Sequence, residues 1–203
     1  MDPNEVERRR VFLNIPYDPQ PKFRRLYIAY IVGVIELGLI PTATLAIEGD
    51  ARLDRIFALI KSSRYSIHDL SCIKIDRTFP PTPRFNMPFE LGLAVAWAKQ
   101  NPASHSFFAF EEIERRGHKS TSDMSGYDFY IHSGKPERVM SNLCDAFVRK
   151  TKSPNVPKMV KHFEIVLSRV PQIKRDCGAA SIFQARVFKE IVLAAMEIRR
   201  ADL

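Results

Sequence analysis

Apolar residues fall along the chain in short runs and in helically spaced stripes, and the two kinds alternate. Val11-Phe12-Leu13-Asn14-Ile15 reads as a strand, closed by Pro16-Tyr17-Asp18-Pro19. From Lys22 to Leu37 the spacing of Phe23, Leu26, Tyr27, Tyr30, Ile31, Val34 and Ile35 predicts a helix, with Gly38 as its stop. Ile40 to Leu45 reads as a second strand, with Pro41 at its start. Arg52 to Lys61 is a helix with Leu53, Ile56, Phe57 and Ile60 on one side. Tyr65 to Leu70 is a third strand, Ser106 to Phe110 a fourth and Tyr127 to Ile131 a fifth of edge type. Glu111 to Gly126 reads as a polar loop, and Pro136 to Lys150 as a helix. Strands and helices alternating with short links predict a parallel sheet covered on both faces.

The stretch from Arg84 to Lys99 breaks the amphipathic habit. A proline-rich loop leads to Pro88, which suits the first helical position. Leu91, Leu93, Ala94, Val95, Trp97 and Ala98 are then apolar almost all round, as in a buried helix. Glu90 falls in the expected first turn, beside free N–H groups and the positive end of the dipole. Read locally, it complements the dipole. Gly92 lets a backbone or ligand come close.

Beyond Ser153-Pro154-Asn155-Val156-Pro157, stripes at Met159, Val160, Phe163, Val166, Leu167, Val170 and at Phe183, Val187, Ile191, Ala194, Ala195, Ile198 predict two more helices. Their stripes need burial against the α/β body or a second copy of the chain. We therefore divide the chain into an α/β domain over 1–152 and a helical extension over 153–203. The net charge of +8 suggests an anionic ligand, nucleic acid or an acidic partner, and +5 of it lies in 151–203. No interleaving of arginines with aromatics supports nucleic acid, so packing or dimerisation is preferred for the tail. Cys72, Cys144 and Cys177 are odd in number and far apart, which argues against a disulfide framework. The charged start is not a signal peptide, and Leu26 to Ile35 is about half the length a membrane span needs. The expectation is a soluble, cytoplasmic protein without a membrane partner. His105, His118, His132 and His162 lack ligand spacing, so neither a metal nor a resident cofactor is expected.

In an open parallel sheet the loops after the strands gather on one edge. They bring Tyr17, Asp18, His68, Asp69, Arg84, Asn86 and Glu90 together there. Breaking a glycosidic bond passes through an oxocarbenium-like sugar and needs a carboxylate at the anomeric carbon. A helix N-terminus would hold Glu90 ionised for that work. Individually, His68 can orient a substrate or serve as a structural hydrogen-bonder. Asp18 can be a turn residue, and Arg84 a phosphate contact or half of an ion pair.

Phe89-Glu90-Leu91-Gly92-Leu93-Ala94-Val95-Ala96 resembles the signature of the nucleoside 2-deoxyribosyltransferases. The opening Val11-Phe12-Leu13-Asn14-Ile15-Pro16-Tyr17, with Leu37-Gly38-Leu39-Ile40-Pro41, also resembles the start of those enzymes and of TIR domains. The resemblance spans roughly residues 10 to 150. It implies a flavodoxin-like sheet of about five strands with helices on both faces, and N-glycosidic cleavage by one glutamate. By it, Glu90 is the catalytic carboxylate, Asp69 a sugar-contacting acid and Tyr17 an aromatic contact. It also implies a homo-oligomer, with defence or toxin effectors among such domains. Asn86-Met87-Pro88 departs from the small residues that usually precede the aromatic-Glu pair, and Arg84 stands where an acid is usual. An arginine suits a phosphate, which favours NAD or a nucleotide over a bare nucleoside. A nucleotide-sensing or self-association module without turnover is the alternative.

Overall fold

The computed structural model describes residues 3–46, 51–73, 75–83, 85–124, 126–149 and 154–202. Arg84, Gly49-Asp50 and the start of the expected linker lie outside them. The strands are β1 (Arg10–Asn14), β2 (Ile40–Thr42), β3 (Tyr65–Asp69), β4 (Ile75–Asp76), β5 (Thr82–Pro83), β6 (Ser106–Glu111) and β7 (Phe129–Ile131). The helices are α1 (Pro3–Arg9), α2 (Pro21–Glu36), α3 (Arg52–Lys61), α4 (Asn86–Gln100), α5 (Arg116–Ser120), α6 (Pro136–Ala146), α7 (Val156–Asp176) and α8 (Ala185–Ala201). Five strands form one parallel sheet in the order β2-β1-β3-β6-β7. Counted by sheet strand alone, that order is 2-1-3-4-5, the flavodoxin-like arrangement. β4 and β5 make a separate antiparallel pair.

The sheet separates two layers. α3 and α4 cover one face, where Phe12, Ile56, Leu59, Ile60 and Ala94 cluster. α2, α6, α7 and α8 fill the other, in one continuous core running from Val11 and Ile67 to Val166 and Ile191. Both C-terminal stripes are therefore spent on the α/β body. α2 is the axis of this layer and is buried almost all round from Leu26 to Glu36. Gly38, at a φ of +78°, ends it in the expected way.

α3 has the bounds that its stripe predicts. β2 is shorter than expected, because Thr44–Ala46 turns into a single 3-10 turn. Pro41 is tolerated in it because β2 is an edge strand. The expected loop over 111–126 instead holds α5 and a 3-10 turn at Ser122–Met124. α1 carries too many charges to show an apolar stripe, and sequence reasoning missed it.

α4 departs twice from expectation. It begins at Asn86, so Pro88 is its third residue and Glu90 lies in its second turn. It is also half exposed. Glu90, Leu91 and Ala94 face inward while Phe89, Gly92 and Ala96 face water.

Gly33 explains how closely α2 and α6 approach. A Cβ on it would lie 2.4 Å from Leu143 Cδ1, inside a fully buried interface. Gly33→Val should therefore destabilise the protein by about 2 kcal/mol through overpacking. A urea melt against the parent checks this.

Candidate active site at the sheet edge

β1 and β3 run to opposite sides of the sheet's topological switch point, where ligands bind in open α/β sheets. Their last rungs pair Asn14 with His68. Alternation along a strand decides which chemistry each face receives. Asn14, Ser66 and His68 point to the α3/α4 layer, as Phe12 does. Asp69 points to the α2 layer, where it accepts a hydrogen bond from the Tyr30 hydroxyl at 3.1 Å.

Glu90 lies on the α4 side of this edge, only 3% exposed. Its Oε1 is 3.4 Å from Arg52 Nη2. Its Oε2 is buried without a hydrogen-bond partner among the described residues. Burial raises the carboxyl above its ordinary range, while Arg52 and the neighbouring Asn14 amide pull it down less strongly. The expectation that the helix start lowers the Glu90 carboxyl is thus corrected. In the second turn its own N–H is already used within α4, and desolvation outweighs the dipole.

A groove of about 430 Å³ opens over this carboxyl. Arg52, Leu53 and Ile56 of α3 form one wall. Phe85, Asn86 and Phe89 form the other, with Glu90 at the base. Phe85 is 61% and Phe89 56% exposed, an unusual display for large aromatics. A larger hollow of about 560 Å³ lies beside Arg115, His118 and Arg138, but its titratable side chains are exposed or half-buried. Among the described residues no group of His, Cys, Asp or Glu could hold a metal ion.

The residues singled out from the sequence divide around this groove. Asn86 lines it beside Glu90. Tyr17 lies near enough for Arg52 and Glu90 to act on its phenol, which burial raises. Its ring packs against Tyr27 and Phe183, with the hydroxyl 3.4 Å from Thr44 Oγ1. Asp18 accepts from the Gln20 N–H at 3.0 Å, the turn role. His68 is fully buried behind Asn14 and does not reach the groove.

Asp69 is fully buried on the opposite layer, with its oxygens turned to Tyr30, Ser71 and His132. Its expected role as a sugar contact meets no path to the groove. Sequence reasoning missed Arg52 as a groove residue and Asn14 as a group that acts on Glu90. Arg52 stands outside the apolar side of α3 that the sequence marks, and a strand's inward asparagine gives no local motif.

No protein-family model and no curated protein matches the chain. Among the described residues no helix is long and apolar enough to cross a membrane.

Proposed function

We propose that this protein breaks the N-glycosidic bond of NAD or a related nucleotide, with Glu90 as the reacting carboxylate. The observation that carries the reading is a buried carboxylate at the floor of a groove beside the switch point, with one oxygen unpartnered among the described residues. Ionised, the Glu90 carboxylate can attack or stabilise the anomeric carbon as the bond to the base breaks and the base leaves with the bonding pair. Water then takes the sugar. Phe85 and Phe89 offer flat apolar faces for a base. Arg52, half in water, can leave Glu90 for a phosphate. The Phe-Glu-Leu-Gly resemblance agrees with this assignment. A cytoplasmic location and a homo-oligomer belong to the same reading, with the exposed side of α4 as the contact. Nucleic acid is not favoured as a partner.

The test is a chromatographic screen of a nucleotide pool, NAD included, incubated with the protein. Release of nicotinamide or another free base is the expected result. Saturable binding of a nucleotide in calorimetry with no product would replace the enzyme by a sensor using the same groove.

A further inference from the structure

Behind Glu90, under the sheet, runs a line of buried polar side chains. Asn14 Nδ2 is 3.0 Å from His68 Nδ1, and His68 Nε2 is 2.9 Å from Ser66 Oγ. Ser66 Oγ is 3.0 Å from His105 Nε2, and His105 Nδ1 is 2.8 Å from the Ser63 carbonyl. Asn14, Ser66, His68 and His105 are all buried. The line crosses from the groove edge of the sheet to the opposite edge.

One proton arrangement satisfies every contact. The Ser63 carbonyl can only accept, so His105 carries its proton on Nδ1 and its Nε2 must accept. Ser66 then gives its single hydroxyl proton to His105. His68 must therefore donate to Ser66 from Nε2, which leaves its Nδ1 to accept. The Asn14 amide must then turn its NH2 toward His68, because its oxygen would face a lone pair. The second N–H of that group stays available to the Glu90 carboxyl, whose charged form the Asn14 amide favours. Both rings must be neutral for this to hold. Burial, and the repulsion that a second proton on neighbouring His105 would bring, push His68 down to about 3. Burial likewise lowers His105.

We infer that His105, Ser66 and His68 are positioning residues that lock the Asn14 amide as a hydrogen-bond donor toward Glu90. The role rests on Glu90 being the reacting carboxylate, whereas the proton arrangement does not. A wrongly turned amide would present its oxygen to the carboxylate and disfavour the charged form. Among the described residues, Arg52 from α3 and Asn14 from the sheet act on Glu90, and Glu90 in turn acts on Tyr17 in the loop after β1. Of these, Asn14 alone has its orientation set by the line.

Ring-nitrogen NMR of the unaltered protein tests the polarity directly. His68 should appear as the Nε2–H tautomer and His105 as the Nδ1–H tautomer. The opposite tautomer at either ring overturns the inference, whether or not any variant folds. Carbon-13 titration of the Glu90 carboxyl, assigned with Glu90→Gln, supplies the second measurement. Ser66→Ala frees His68 to change tautomer and the amide to turn, so the Glu90 pKa should rise by about half a unit to one unit. An unchanged Glu90 titration in a folded Ser66→Ala protein also overturns it. These readouts need no turnover. Correct tautomers in a protein that cleaves no nucleotide would remove the proposed activity and leave the lock standing.

Discussion

Glu90→Gln is expected, under the proposed activity, to lower base release from a nucleotide on the order of a thousandfold or more, since it removes the carboxylate assigned to the reaction and keeps the shape. The same exchange should leave the protein folded and, at neutral pH, more stable. Burial holds the Glu90 carboxyl above its ordinary value. The native state therefore binds that proton more tightly than the unfolded chain does. Stability falls as pH rises from the unfolded value of about 4.5 to the raised native one. Glutamine has no such titration. The advantage of the variant should be absent at low pH, grow through that window and stay level above it. Arg52 loses its partner, but its side chain is half in water and needs none. Thermal melts across pH, paired with chromatographic detection of the released base, check both halves. Under the proposed activity, the acid limb of base release by the unaltered protein should lie above 4.5 for the same reason. Full turnover by Glu90→Gln would end the assignment.

Asp69→Ala should cost about 3–5 kcal/mol of stability, a large share of what a domain possesses. The carboxylate lies in a buried set with Tyr30, Ser71 and His132. The backbone N–H of Ser71 donates to Oδ1 at 2.9 Å, and the Ser71 hydroxyl donates to the same oxygen. His132 accepts the Gly134 N–H on Nδ1 at 3.1 Å, which places its proton on Nε2, toward Ser71 and Asp69. Burial alone would raise Asp69, but His132 and Ser71 more than offset it and hold the group below its ordinary 3.8. With a depressed native value, its contribution is present above about 3.8 and is lost as pH falls through the native one. Removing the side chain strips Tyr30, Ser71 and His132 of a shared acceptor. Urea unfolding at pH 7 and again near pH 3 should show a large deficit at the first and a smaller one at the second. A sugar-contacting Asp69 would instead raise KM and leave the unfolding curve in place.

These two carboxylates show what could be read from the residues. Layer order and most element bounds followed from periodicity, because burial of each stripe is what the fold must satisfy. α3 is the cleanest case for its bounds, although Leu53 and Phe57 of its stripe are exposed and Leu59 is buried instead. The start of α4 was misplaced because Pro88 is acceptable at more than one early helical position, and Phe85 gives no side-chain cap to mark the boundary. The grouping of His68 with Asp69 failed for a reason already in the sequence. Neighbouring residues of a strand face opposite ways, so Ser66 and His68 share one layer and Asp69 belongs to the other. Arg52 and Asn14 reach Glu90 across elements far apart in the chain, and that proximity has no local signature.

The enclosure of α2 bears on how the polypeptide comes into being. From Leu26 to Ile35 α2 is apolar on every side, and it leaves the ribosome before α7 and α8, the helices that close its surface. Until residues 156–201 have emerged, Phe23, Tyr27 and Val34 lack part of their final cover. The nascent chain therefore completes its native layer only once both helices have emerged. A ribosome stalled before α7 would hold an incomplete, chaperone-dependent chain rather than a finished domain awaiting an appendage.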